Sequence, residues 1–262
     1  MSKRQNNRQS KRPETRMAMH RLRLACAAAL AFALPATAQG VCKDISFEGQ
    51  SFSVCTATAG QDVRIFHTDP AGALLGSFGN VNTSLAAEGK SLLFAMNAGM
   101  YHPDRAPVGL LVTEGEEQAR IVTREGPGNF GLLPNGVFCI GDEFGVIESR
   151  AYAATPPACR FATQSGPMLV KDGALHPRFL ENSDSRYIRN GVGVSADGKT
   201  AFFAISSAPV NFHLFGRLFR DALNTPNALY FDGKISRLFS TELRRNDFGF
   251  SMGPIVALLV PN

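Results

Sequence analysis

The feature that most limits how this chain can fold is a series of short apolar runs, each stopped by a turn-forming pair. It is sharpest over residues 227–239, NALYFDGKISRLF. Leu229, Tyr230 and Phe231 are β-formers of the kind that fill a buried strand, and Gly233 accepts the positive φ that a tight turn requires. The pattern predicts strand, sharp turn, strand, with Asp232 at the end of the first strand. A carboxylate there can be held rigidly at the rim of a cleft. An Asp-Gly pair is also an ordinary turn, in which the carboxylate bonds its own backbone. The residues alone leave both roles open.

The same design recurs along the chain. Residues 44–57 alternate around Ile45, Phe47, Phe52 and Val54, and 61–69 continue through Val63 and Ile65. SLLFAM (91–96) runs into a turn-rich loop bracketed by Asn97 and Asp104. The glycine-dense 124–136 leads to a strand at 137–140. ATQSGP (162–167) precedes a strand at 168–170, with Asp172-Gly173 as a hairpin turn behind it. NSDSRYIRN (182–190) carries Arg186 and Arg189 ahead of Gly191-Val192-Gly193-Val194, and AFFAIS (201–206) follows an Asp197-Gly198 turn. Helical spacing is weak over 83–89 and convincing only over 211–223. There Phe212, Phe215, Phe219 and Ala222 share a face, Arg217 and Arg220 lie away from it, and Pro209 sits near the start. Many strands and one good helix predict the α+β class, a single domain on mixed, largely antiparallel β-sheet with few helices.

Residues 1–38 read as a secretory signal. A basic leader, with Met17 as an alternative start, precedes the apolar run 24–34, and Pro35-Ala36-Thr37-Ala38 offers a small-residue cleavage site before Gln39. The run is short for a bilayer span, Cys26 sits too early in it for a lipid anchor, and no twin arginine precedes it. Residues 39–262 are long enough for one domain with a real core, and show no linker, repeat or further membrane span. The leader holds eight of the 27 Lys and Arg and one of the 22 Asp and Glu, leaving 19 basic and 21 acidic residues. The basic balance therefore belongs to the leader, and nucleic-acid binding, which needs a basic face on the folded part, is set aside. Four cysteines remain, Cys42, Cys55, Cys139 and Cys159, an even number suited to two disulfides in an oxidising compartment. Of the three possible pairings, Cys42–Cys55 with Cys139–Cys159 closes the shortest loops. The expected location is periplasmic or secreted; no feature bears on oligomeric state.

The chain has no Gly-x-Ser-x-Gly elbow, Walker loop, His-Glu-x-x-His or dinucleotide fingerprint. His102, His176 and His213 fit no metal spacing, so no cofactor is expected, although a carboxylate-held calcium or magnesium ion is compatible with the composition. What remains is a set of strand ends carrying Asn97, Asp104, Gln164, Ser165, Arg189 and Asp232. Arginine suits phosphate, and amides and hydroxyls suit sugar hydroxyls. Each residue also has a plainer use: an ion pair for Arg189, local backbone bonds for Asn97 and Ser165, a turn for Asp104.

Five blocks in order carry a family resemblance: AMNAGMYHPDRAPVGL (95–110), GPGNFGLLPNGVF (126–138), QSGPMLV (164–170), RNGVGV (189–194) and NALYFDGKIS (227–236). Together they resemble the motifs of the phosphodiester glycosidase family, most closely its exported bacterial branch. The resemblance runs from about Phe52 to Met252-Gly253-Pro254-Ile255. It implies a mixed α/β domain that hydrolyses a sugar-1-phosphodiester, with polar motif residues gathered at one cleft. Asn97 and Gly99 match the family's Asn-Gly-Gly-type loop. Gln164, Ser165 and Gly166 match its Gln-Ser-Gly-Pro segment, Arg189 the arginine before the glycine-containing strand, and Asp232-Gly233 its Asp-Gly at a strand end. Lys234 departs from the run of glycines and serine that follows in better-known members; it could bind phosphate or mark another substrate. The resemblance implies Asp232 as base or nucleophile at the anomeric carbon and Arg189 as the charge facing the departing phosphate. Asn97, Gln164 and Ser165 would orient the sugar. A glycan-binding protein of the same fold without turnover is the rival reading.

Overall fold

Apolar residues two apart, as at Val63 and Ile65, put one face of a strand inside, and whole runs such as Gly136–Ile140 are buried on both faces. The structure is a computed structural model that describes residues 40–232 and 235–262, all within the unit Gln39–Asn262. The signal segment expected over 1–38, and Gly233 and Lys234, lie outside the described residues.

Three sheets form, and every strand pairing among the described residues is antiparallel. The seven-stranded sheet runs, in spatial order, Cys42–Phe47, Gln50–Thr58, Thr200–Ser206, Asn190–Val194, Asn227–Tyr230, Met168–Lys171 and Ala174–Leu175. A five-stranded sheet is centred on Lys90–Asn97, flanked by Leu238–Ser240 and Ile255–Pro261. The other five-stranded sheet has Phe161–Ser165 at its centre, between Leu111–Thr113 and Gly136–Ile140. With only short helices added, this is the α+β class read from the sequence.

The sheets share one core, and a single ring joins them. Phe203 of the seven-stranded sheet packs 5.2 Å from Phe94 of the second sheet and 5.6 Å, edge-on, from Phe138 of the third, all three fully buried. The strand ends that surround this core are therefore brought close to one another.

The helix expected over 211–223 forms as Phe212–Arg217 and continues as a wider π turn, Leu218–Ala222. The Asn211 side-chain oxygen caps it by accepting from the Leu214 N–H at 2.9 Å, and Phe215 and Phe219 bury its apolar face. The weak helix expected over 83–89 begins earlier, at Phe78–Leu85, and only a 3₁₀ turn, Ala86–Glu88, follows. Ser77 sets the start by accepting from the Asn80 N–H, and Phe78, Val81 and Leu85 anchor the inner face. A third helix, Ser149–Ala154, has no apolar periodicity to announce it; the Glu148 carboxylate caps it at Ala151. No helix among the described residues is long and apolar enough to cross a membrane.

Two disulfides are present, Cys42–Cys55 and Cys139–Cys159. The first joins directly opposed residues of the opening hairpin. The second closes a loop that contains the strand Phe144–Glu148 and the helix Ser149–Ala154. Both suit an oxidising compartment.

Candidate active site

Strand ends from all three sheets meet around two asparagines. Asn97 ends Lys90–Asn97, Asn190 opens Asn190–Val194, and both are fully buried. The Asn190 amide nitrogen donates to the Asn97 carbonyl at 2.8 Å and to Asn97 Oδ1 at 3.1 Å. Asn190 Oδ1 accepts from the Asp232 N–H at 3.2 Å and from the Ser236 hydroxyl at 3.2 Å. Asn97 Oδ1 also accepts from the Arg237 N–H at 2.8 Å. The amide pair thus fixes the backbone at Asp232 and again at Arg237. The third sheet joins through Ser165, whose hydroxyl donates to the Phe231 carbonyl at 2.7 Å.

Asp232 faces a cleft of about 400 Å³ built from four segments. Met100, Tyr101 and Val108 come from the loop after Asn97, Gly128 and Asn129 from the glycine-dense loop, Ser185 and Tyr187 from the polar stretch before Arg189, and Tyr230 and Asp232 from one strand end. Asp232 is half-buried and is the one carboxylate among the described residues lining this cleft. Its charge acts on its neighbours. Burial pushes the Tyr230 phenol well above its ordinary value; Arg189 opposes the shift and Asp232 adds to it. The Tyr101 phenol is likewise raised, first by burial and then by Asp232, against Arg105 and Arg237. Both tyrosines therefore remain protonated donors at neutral pH.

The other residues singled out in the sequence lie mostly behind the cleft. Arg189 is fully buried: its Nε donates to the Val210 carbonyl at 2.8 Å and a terminal nitrogen to the Ser185 carbonyl at 3.0 Å. Its guanidinium stacks 3.6 Å from the Phe212 centroid and lies 5.4 Å and 5.5 Å from those of Tyr230 and Tyr187. It forms no salt bridge among the described residues. Burial lowers its pKa, with the tyrosine hydroxyls opposing. The Gln164 side chain is used internally: Oε1 accepts from Leu110 and Val122 N–H groups, and Nε2 donates to the Val122 carbonyl and Ser149 Oγ. Gly99 and Gly166 pack where a side chain would not fit. A Cβ on Gly99 would collide with Thr163 Oγ1 and the Gln164 carbonyl, and one on Gly166 would come 2.7 Å from Asn135 Cβ. Asp104 is exposed and accepts from Ala106 N–H inside its own turn, away from the cleft lining. Gly233 and Lys234 are outside the described residues.

Sequence reasoning missed Asn190, Tyr101, Asn129, Ser185, Tyr187 and Tyr230 as site residues. Each lies beside or inside a stretch the sequence marks as a strand end or polar loop, but nothing in one dimension tells which side chain of a block faces the cleft. His176, weighed for metal binding, packs on Phe179 and bonds the Leu133 carbonyl at 3.0 Å. Among the described residues, no three His, Cys, Asp or Glu side chains converge to hold a metal ion.

Comparison with known proteins bears on this geometry. A family model for phosphodiester glycosidase matches residues 90–253, a span that includes every strand end named above. The uncharacterized protein YigE of Escherichia coli (strain K12) is 39% identical over 146 residues, covering 55% of this chain and 57% of that protein, so the match spans little more than half of the curated relative. Among solved structures, the zebrafish N-acetylglucosamine-1-phosphodiester alpha-N-acetylglucosaminidase catalytic domain, auto-inhibited by its pro-peptide, is similar at a TM-score of 0.55 and 12% identity. That match covers 83% of this chain and 81% of that one. A candidate exported protein of Burkholderia pseudomallei K96243 is similar at 0.51 and 11% identity, over 80% of this chain and 74% of that one. At these identities the two structures speak to fold.

Proposed function

This chain belongs to the phosphodiester glycosidase family, and from that premise we propose that it hydrolyses the glycosyl–oxygen bond of a sugar-1-phosphodiester in an envelope or extracellular glycan. The observation that carries the reading is that Asp232 is the one carboxylate among the described residues lining the cleft. An ordinary glycosidase needs two, one of them to protonate the leaving oxygen. A phosphomonoester leaves without that help, since its second pKa is about 6. One carboxylate among tyrosines and an amide suits a substrate that supplies its own good leaving group. The zebrafish structural relative is named for acting on a 1-phosphodiester of N-acetylglucosamine, which supports the same substrate class.

In the mechanism, Asp232 acts at the anomeric carbon, either taking a proton from the attacking water or attacking directly. The bond from C1 to the phosphate oxygen breaks, its electron pair leaves with the phosphomonoester, and water supplies the new hydroxyl of the free sugar. The fixed backbone around Asp232, held by Asn97, Asn190 and Ser165, keeps the carboxylate aimed and spares reorganisation during the reaction. Arg189 contributes its positive charge from behind the Tyr230 and Tyr187 rings, favouring an anionic phosphate in the cleft without contact. Gly99, Gln164 and Gly166 pack behind the cleft and hold its segments together without lining it. Gly233 and Lys234, next in sequence to Asp232, are candidates for contact with the phosphate.

The test is release of free sugar and phosphomonoester from methyl sugar-1-phosphodiesters, run in ¹⁸O water. Label in the sugar marks cleavage at the glycosyl–oxygen bond; label in the phosphate would mean a different phosphodiesterase. Asp232→Asn should lower kcat by at least about 100-fold while probe binding persists. Binding without turnover by the unaltered protein would sink the enzyme reading and favour the glycan-binding one.

A further inference from the structure

Among the cleft residues, Tyr187 is unusual in being an aromatic side chain left 52% exposed. Exposure alone is ordinary, and Phe248 and Phe250 are more exposed still; what sets Tyr187 apart is that it lines the cleft on a backbone that is fixed firmly. The Tyr187 N–H donates to the Val210 carbonyl at 3.2 Å, and the Val210 N–H returns a bond to the Tyr187 carbonyl at 2.8 Å. Arg189 adds a second clamp, because its buried side chain donates from Nε to the Val210 carbonyl and from one terminal nitrogen to the Ser185 carbonyl, while its other terminal nitrogen is buried with no hydrogen-bond partner among the described residues. Ser185 is itself a cleft residue, and Val210 is the backbone partner of Tyr187. A guanidinium buried without a carboxylate is costly before compensation. Here that cost is offset by carbonyl bonds and ring contacts whose common effect is to hold residues 185–187 against the protein.

We infer that Tyr187 is the platform on which the substrate's sugar ring stacks, and that Arg189 is the positioning residue that locks this platform; the inference rests on the sugar-phosphodiester reading of the same cleft. The face of an aromatic ring carries negative quadrupole, and the C–H groups on one face of a pyranose are weakly positive, so the two attract while the sugar hydroxyls stay free for polar partners. A tyrosine has only two side-chain torsions to fix, and its backbone is already anchored, so little entropy is lost when sugar binds. Asn129 and the Ser185 hydroxyl lie in the same cleft to meet the sugar's edge. The preferred ligand is therefore a pyranoside with one largely axial C–H face, joined through C1 to a phosphodiester. An acyclic or purely phosphate ligand would gain nothing from Tyr187.

The chain contains no tryptophan, which gives the inference a direct test. Tyr187→Trp places a lone tryptophan at the platform, and its emission should shift on titration with methyl sugar-1-phosphodiesters of glucose, mannose and N-acetylglucosamine, but not with methyl phosphate. Tyr187→Phe and Tyr187→Trp should keep KM within about threefold, and Tyr187→Ala should raise it about tenfold with a much smaller change in kcat. Arg189→Lys keeps the charge but cannot span both carbonyls; it should raise KM in the same direction, and add little when combined with Tyr187→Ala. Unchanged emission at saturating probe, or a Tyr187→Ala enzyme with normal KM, would overturn the platform while hydrolysis stood. A fall in kcat at constant KM in Arg189→Lys would overturn its positioning role and put it on the phosphate. If the unaltered protein neither binds nor cleaves any of the probes, the functional reading itself fails and the platform with it.

Discussion

Asn190 holds the backbone from which the Asp232 carboxylate projects. Its nitrogen is committed to Asn97, and its oxygen accepts from the Asp232 backbone and the Ser236 hydroxyl. Asn190→Ala would leave several buried groups without partners at once, so unfolding in urea should lose about 3 kcal/mol. Turnover should fall further than stability explains, because Asp232 would lose its anchor; equal wild-type kcat in a folded variant would contradict this role. The sequence offered Asn190 only as the neighbour of Arg189. A guanidinium draws attention as chemistry, whereas the importance of Asn190 arises from a partner 93 residues away. The strand end that precedes Asp232 was legible because an apolar run stops there, and the strand Asn227–Tyr230 does end just before it. The internal employment of the Gln164 amide was not, since its partners at Leu110, Val122 and Ser149 come from three separate segments.

At the scale of elements, the periodic signals were faithful over most strands and over Phe212–Arg217, but missed the Ser77-capped start of Phe78–Leu85 and failed where a cap alone decides. The helix at Phe212–Arg217 was legible from its phenylalanines; Ser149–Ala154 depends on a Glu148 cap and no apolar repeat. Charged groups join elements in a way that periodicity does not disclose. Asp62, just before the edge strand Val63–Phe66, pairs with Arg64 at 2.7 Å and Lys90 at 2.9 Å, tying that edge to the start of the central strand Lys90–Asn97. The hydrogen bond from Arg64, chiefly, lowers the Asp62 pKa to about 2, and Lys90 adds to it. A carboxylate whose pKa is depressed in the folded state stabilises above its unfolded pKa and loses that effect as protons return. The network should therefore contribute at neutral pH and fade between about pH 4 and pH 2. Being partly exposed, it is screened to about 1 kcal/mol. Asp62→Asn should narrow the stability difference between pH 7 and pH 2 by about that amount, and urea midpoints at both pH values measure it.

For the whole molecule, the two disulfides and the shared core make one cooperative unit of three sheets. Cys139–Cys159 encloses a strand and a helix of the third sheet. Replacing both cysteines with serine should cost about 3 kcal/mol, measured by denaturant unfolding, and an unchanged midpoint would mean the third sheet is closed well enough without the link. The two disulfides were legible from the even cysteine count, and the pairing followed from loop length alone because neighbours in sequence are also neighbours in the sheets. The convergence of strand ends was harder to read, since each contact depends on all three sheets having closed. Asn97 Oδ1 accepts from a backbone group 140 residues later, Arg237 N–H, and Ser165 reaches the Phe231 carbonyl across 66. The backbone that carries the Asp232 carboxylate is thus held by partners that lie both far before it and just after it in sequence. The full set of these bonds needs the chain through Arg237 in place, so a truncation ahead of that residue breaks the frame that fixes the Asp232 backbone.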